Sequence, residues 1–234
     1  MVPLISVIVV TYNRACFLKD ALESIKRQTF TDYEIIVVDD GSTDNTKVIV
    51  EEYEGIRYIY QEHGGISKAR NTAIKAAKGE WIATLDSDDL WKEDKLQKQV
   101  DYLRTHPDCR IVYTNYRNFT DIPEDNLDEK QKELLNTVVE WDLPTALIAA
   151  SLFHEIGTFD ENLVYGEDSD WILRLKILNI NMEHRLNEDL YLRRVHGSNI
   201  SNTRKEFRNL DFWKRMATAY RKTIRLRQGR QPGK

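Results

Sequence analysis

Cysteine is scarce. The 234 residues hold two, Cys16 and Cys109, far apart and at no metal-ligand spacing. A disulfide framework and a thiolate zinc site are excluded, and both side chains read as free thiols of a reducing compartment. Long apolar runs are missing as well. Stretches such as Val7 to Val10 fall far short of the ~20 residues that cross a bilayer. The amino terminus shows no basic segment leading into an apolar one with a cleavage site, so no signal peptide is expected and the cytoplasm is the default location. There is no internal repeat and no low-complexity segment. The phosphate-cradling loops are also absent: neither GxxxxGKS/T nor GxGxxG follows the first apolar run. A P-loop ATPase and a dinucleotide oxidoreductase are therefore poor readings. Any phosphate charge has to be met by a metal, Arg and Lys.

What the sequence does carry is core and charge. With 41% hydrophobic residues, five Trp and eleven Tyr, it can fold as one large domain, or one domain with a tail. Net charge is −4, unevenly spread. Of 34 basic and 38 acidic residues, eleven and two lie from Arg204 onward, leaving −13 on the body and +9 on the tail. Such a split implies an anionic partner for the tail, or a tail lying on the acidic body.

Leu4 to Val10 is short, apolar and β-branched, the pattern of a strand buried on both faces. A helix with Leu18, Ala21, Leu22 and Ile25 on one face follows. Glu34 to Val38 is a second strand, with Ser42 suited to cap the next helix and Asp44 to its first turn. Ile56 to Gln61 is a third, broken by Gly64-Gly65 before a helix with Ala69, Ala73, Ile74 and Ala77 inward. Trp81 to Leu85 is a fourth. Strands alternating with helices imply right-handed crossovers, a mostly parallel sheet and ligands beyond the carboxyl ends of its strands. The polar clusters Thr11 to Arg14, Asp39-Asp40, His63-Gly64-Gly65 and Asp86 to Asp89 all fall there.

Asp86-Ser87-Asp88-Asp89 is the most informative of these. Asp86 and Asp88 stand two apart, so an extended chain points both to one side. Paired carboxylates repel unless protons or a cation intervene, and Mg²⁺ is usually held by one or two carboxylates plus substrate phosphates. The plain alternative is a solvated acidic turn, with Asp88 or Asp89 capping the next helix.

The second half is less regular. Arg110 to Thr114 reads as a fifth strand, Asn115 to Glu133 as an acidic loop, and Pro144 to Ile156 as a helix ended by Gly157. Glu167 to Asp170 opens a helix with Trp171, Ile172, Leu175 and Leu178 inward. Asp170 and Arg174 form an i,i+4 pair there, and Asp168 faces a cleft. Tyr191 to His196 is a basic strand end. From about Thr203 one basic amphipathic helix carries a stripe of Phe207, Leu210, Trp213, Ala217, Tyr220 and Ile224. It is suited to docking on the domain or to peripheral contact with an anionic membrane.

Val7-Ile8-Val9-Val10-Thr11-Tyr12-Asn13 and Val37 to Asp44 resemble the start of the inverting glycosyltransferases of family two, which have the GT-A fold. The resemblance continues through Gly64 to Asn71, Leu85 to Asp89, Gly157 to Glu161, Gly166 to Trp171 and Arg194-Val195-His196. It implies a single α/β GT-A domain over residues 1–202. Residues 1–109 would form the nucleotide-sugar half, 110–202 the acceptor and catalytic half, and 203–234 the basic tail. On the matching positions it implies that Thr11, Tyr12, Asn13 and Asp40 line the base pocket, with Arg14 beside them. Arg70 would meet the base or diphosphate and Asp86 the ribose. Asp88 would bind Mn²⁺ or Mg²⁺, with His196 reaching the metal, and Arg194 would close over the diphosphate. Asp168 would be the catalytic base, with Glu167 and Trp171 on the acceptor side. The departures are Val10 where the family usually has Pro, Thr158 where it often has a second Gly, and no basic pair in Ala149 to His154.

The resemblance further implies a nucleotide-sugar donor, favouring uridine, and a saccharide or lipid-linked acceptor in cell-surface polysaccharide or glycolipid synthesis. A homodimer is compatible with it. Nucleic acid is not an expected partner, because the body is acidic and the tail follows no nucleic-acid-binding motif. Two competing readings are a sugar nucleotidyltransferase and a non-catalytic nucleotide-binding subunit. The first normally needs a Gly-rich basic loop after the first strand, and Thr11-Tyr12-Asn13-Arg14 is not one.

Overall fold

The computed structural model describes residues 2–139, 142–163 and 166–197. Strand β1 (Ile5–Thr11) pairs in parallel with β2 (Tyr33–Asp39) on one side and with β4 (Trp81–Asp86) on the other. Strand β3 (Ile56–Tyr60) extends the sheet beyond β2, also in parallel. Helices α1 (Ala15–Lys26), α2 (Thr46–Glu51) and α3 (Ile66–Ala76) make the crossovers.

The β-branched run of β1 is buried on both faces because alternate side chains feed two separate cores. Val7, Val9, Ile35 and Val37 pack with Leu18, Leu22 and Ile25 of α1. Ile8, Ile36, Val38 and Ile82 pack with Ala69 and Ala73 of α3. Each fully buried Val, Leu or Ile contributes roughly 1.5–3 kcal/mol, so this half supplies a rigid frame. Its register sets Thr11 beside Asp39 and Val10 beside Asp86, placing the polar strand ends in one row.

The second half adds β5 (Leu90–Trp91), α4 (Lys95–Thr105), β6 (Ile111–Phe119), α5 (Glu129–Leu135), β7 (Val138–Val139) and β8 (Leu147–Ala149). Helices α6 (Ala150–Ile156) and α7 (Glu167–Ile177) and strand β9 (Arg185–Arg194) complete it. The strand order is β3-β2-β1-β4-β8-β6-β9-β5, with β7 beside β6. Most of the pairing is parallel; β8, β5 and β7 run antiparallel to their neighbours.

Three expectations need correction. The span Asn115 to Glu133 is not a loop. Strand β6 runs on to Phe119 because β9 and β7 supply ladder partners, and its polar side chains find partners of their own: Arg117 pairs with Asp189, and Asn118 Nδ2 donates to Leu134 O. Helix α5 carries a full capping box, in which Asp128 accepts from Gln131 N while Gln131 Oε1 accepts from Asp128 N. Pro144 to Ile156 is not one helix. Leu143–Thr145 is a 3₁₀ turn, and Leu147–Ala149 is drawn into the sheet against Trp81 to Ala83 before α6 begins. Ser42 caps nothing: Asn45 precedes α2, and Ser42 Oγ accepts from Asn13 N. Asp44 instead bonds Thr46 and reaches across to Ala15 N at the start of α1.

Among the described residues no helix is long and apolar enough to cross a membrane. The tail lies outside the described residues.

Candidate active site

The loop after β1 is tied to the loop after β2. Asn13 adopts φ +51°, a left-handed conformation that Asn tolerates better than most residues. Its N–H donates to Ser42 Oγ, and its Oδ1 accepts from Thr43 N. Asn13 therefore serves this loop pairing with its side chain. Thr11 is buried, and its hydroxyl has no partner among the described residues. A buried hydroxyl left unpaired costs on the order of 1–3 kcal/mol, which a hydrogen-bonding ligand at the strand end would recover.

Tyr12 is exposed and stacks on His63, with ring centroids 4.1 Å apart and planes 20° from parallel. His63 Nδ1 lies 2.9 Å from Asp40 Oδ2. Asp40 is buried and also accepts from Gln61 Nε2, Gly64 N and Gly65 N. It presents a braced wall rather than a free carboxylate. Gly41 is required in this corner: φ is +88°, and a Cβ there would stand 2.8 Å from His63 N.

At the end of β4, Arg70 is buried under the site. It donates to Glu167 Oε1 at 2.7 Å and to Asp86 Oδ1 at 3.3 Å, with its guanidinium 5.6 Å from the centre of the Phe159 ring. Asp86 keeps 41% of its side chain exposed. The walls around it raise its carboxyl above the usual range. Arg70 opposes that shift, while Asp88 and Asp168 add to it. Burial likewise raises Glu167, again against Arg70.

The acidic bend is not a helix cap, and of its three carboxylates only that of Asp86 keeps substantial exposure. Asp94 precedes α4, and Asp89 is buried. Asp89 accepts from the Tyr191 hydroxyl at 2.7 Å and from Arg194 N at 2.8 Å. Burial pushes its carboxyl well above the usual range, with the charges of Asp88 and Asp86 adding to the effect. The bend is thereby clamped to β9. Asp88, turned the other way, has Oδ2 3.0 Å from His196 Nε2 and 3.9 Å from Arg14 Nε.

Among the described residues no cluster of three or more acidic, His or Cys side chains forms a metal cage. Asp88 and His196 supply one carboxylate and one imidazole at a single point. That donor set fits an octahedral Mn²⁺ or Mg²⁺ that completes its shell with phosphate and water.

Asp168 sits in the first turn of α7. Its Oδ1 accepts from Ser169 N, and its other oxygen has no protein partner among the described residues. Its charge is felt by Arg70, Asp86 and Glu167, which places it with that group.

Three expected site residues are placed otherwise. Arg194 is buried, donates to Asp88 O and Asp20 Oδ2, pairs with Asp121, and lies between the rings of Phe17 and Phe119. It braces the bend and does not reach outward over a diphosphate. Glu167 is turned to Arg70, not to an acceptor. Trp171 is fully buried, stacks on Phe153 and donates from Nε1 to Gly157 O, so it packs in the core and lines no open surface. Sequence reasoning missed Tyr191, Asp20 and Asp121, whose spacing gave no sign of these contacts. It also passed over Asp89 and His63, which stood inside motifs already noted.

A family profile described as "Glycosyl transferase family 2" matches residues 6–160. An uncharacterized glycosyltransferase of Rickettsia typhi is 35% identical over 218 residues, covering 86% of this chain and 67% of the relative. Among solved structures, Staphylococcus aureus TarS 1–349 in complex with UDP-GlcNAc is similar, with a TM-score of 0.68 and 27% identity. The match covers 83% of this chain, which spans only 59% of that one. A mannosyltransferase of Pyrobaculum calidifontis, solved with GDP-Man and Mn²⁺, has a TM-score of 0.67 and 23% identity, a likeness of fold. It covers 86% of this chain and 60% of its own.

Proposed function

This chain belongs to glycosyl transferase family 2, and from that premise we propose that it moves a sugar from a nucleoside diphosphate, uridine by preference, to a hydroxyl acceptor with inversion. Residues 1–109 hold the donor and 110–202 the acceptor. The observation that carries this reading is the meeting of Asp88 and His196, 108 residues apart, at 3.0 Å beside the strand ends. A Mn²⁺ or Mg²⁺ ion held by that pair would supply Lewis-acid stabilisation of the charge on the departing diphosphate.

The chain's own groups do the rest. Thr11, Tyr12 and the wall built by Asn13 and Asp40 seat the base. Asp86, steadied by Arg70, meets the ribose, and Arg14 lies over the phosphate side near Asp88. The acceptor oxygen attacks the anomeric carbon while Asp168 takes its proton through the uncommitted oxygen, and the carbon–oxygen bond to the diphosphate breaks on the opposite face. No covalent enzyme intermediate is needed. Polysaccharide or glycolipid synthesis is the setting this chemistry suits.

Two variants test the reading. Asp168→Asn should lower transfer at least ~100-fold while calorimetry still shows nucleotide binding. Asp88→Ala should lose the part of nucleotide binding that depends on metal. Transfer at the normal rate by Asp168→Asn would remove Asp168 as the base, and binding by Asp88→Ala that still responds to chelator would move the metal elsewhere.

A further inference from the structure

Residues 157–163 lie between α6 and α7 and, among the described residues, belong to no strand or helix. Their path is set by side chains that hold their backbone. From α7, Trp171 Nε1 donates to Gly157 O at 2.9 Å, and Arg174 Nη2 donates to Thr158 O at 2.8 Å. From α3, Asn71 Oδ1 accepts from Phe159 N at 3.0 Å, while its Nδ2 donates to Phe159 O and to Glu161 Oε1, each at 2.9 Å. Ser67 Oγ donates to Leu163 O at 3.2 Å. The segment is a strap laced to two helices.

An amide side chain offers one acceptor and two donors, so Asn71 meets Phe159 as a neighbouring strand would. Ser67, Arg70 and Asn71 stand at i, i+3 and i+4, on one face of α3. Arg70 links that face to the site. Its guanidinium donates to Glu167 Oε1 and to Asp86 Oδ1, and it lies over the ring of the same Phe159. Glu167 directly precedes Asp168 at the start of α7. One helix face therefore holds the carboxylate at the end of β4, the strap, and the turn that bears Asp168. The donor assignment gives Asn71 and Ser67 no task.

We propose that Asn71, assisted by Ser67, is a positioning residue for the transfer step. By fixing the strap to the face that carries Arg70, it sets where Asp168 stands relative to Asp86 and so to a bound donor. This rests on the assignment of Asp168 as the base and deepens it. Without Asn71, the Phe159 N–H and C=O lose their partners, and the strap has to shift to satisfy them. The turn that follows shifts with it, and a misplacement of about 1 Å at the reacting atoms costs up to ~100-fold in rate. The nucleotide seat is braced by other bonds: Asp40 by the amides of Gly64 and Gly65, and Asp89 by Tyr191. Nucleotide binding is therefore independent of the strap.

Release of UDP from UDP-glucose and UDP-N-acetylglucosamine by the full chain with Mn²⁺, water serving as acceptor, gives kcat and KM; calorimetry with UDP reads the nucleotide seat. Asn71→Ala should lower kcat about ten-fold and leave UDP affinity within about two-fold. Ser67→Ala removes one tie with less disturbance and should lower kcat about two- to three-fold; it carries the test if Asn71→Ala does not fold. A double-mutant cycle separates positioning from a merely structural role. In an Asp168→Asn background either change should cost less than about 1.5-fold, because the group being positioned is already disabled. The full cost in that background overturns the proposal and leaves Asp168 as the base. So do an unchanged kcat in both variants, and UDP binding that falls along with kcat. Asp168→Asn working at the normal rate overturns the base assignment and this inference with it. A wild-type chain that releases UDP from neither donor overturns the donor assignment and both inferences built on it.

Discussion

Lys95 shows how one buried charge can be read from its surroundings. It is fully buried in α4, with its ammonium 4.4 Å from the centre of the Trp91 ring and bonded to Gln99 Oε1. Burial pulls its pKa down from 10.5 to about 7. The sign follows from proton counting. Between those two values the unfolded chain holds a proton that the folded chain has released, so stability rises with pH across that window. The slope approaches ~1.4 kcal/mol per pH unit for one proton. Urea melts at pH 7.5 and 9 should show the wild type gaining stability relative to Lys95→Met, in which this contribution is absent. A constant difference between the two would mean that Lys95 stays charged in the fold. Nothing in the sequence announced this residue: it stands in a run of charged and amide side chains that reads as a solvated helix face. The acidic bend was visible from spacing alone, whereas the partners that orient it, Tyr191 and the Arg194 amide, lie about a hundred residues away.

At the level of elements, the β1–β4 frame was legible because its signal is local. Alternating burial follows from period two, and the crossover helices α1 and α3 follow from their own stripes. Strand β8 and the extended β6 were not legible, because they exist through what they pair with. Helix α5 stood between: its Asp128–Gln131 box was written in the chain and overlooked. The close approach of the turn before β4 to the start of β1 is another feature of pairing. Gly79 N donates to Ser6 Oγ, and a Cβ on Gly79 would lie 2.5 Å from Ser6 N and 2.7 Å from Ile5 C. Backbone cannot yield there as a side-chain tip could. Gly79→Ala should cost at least ~2 kcal/mol, lowering the melting midpoint by about 4–8 °C. An unchanged midpoint would show that the β1 end has slack.

Across the whole molecule, charge is segregated: −13 up to residue 203 against +9 beyond it. An enzyme that acts on lipid-linked or surface-bound acceptors gains from being held where those acceptors lie, and basic residues near an anionic surface contribute about 1 kcal/mol each. Flotation with vesicles containing phosphatidylserine should carry up the full chain, and 150 mM salt should weaken that binding. Chain ending at residue 203 should stay at the bottom. Equal flotation of both would assign the tail to the domain itself or to a second copy.

The clamp of Asp89 by Tyr191 and Arg194 has a consequence for biosynthesis. The bend leaves the ribosome long before the strand that fastens it, so a nascent polypeptide stalled at residue 160 would carry Asp86 to Asp89 without the hydroxyl and the amide that hold Asp89. The proposed nucleotide site would then be completed late in translation, as β9 emerges from the exit tunnel and locks in beside β6.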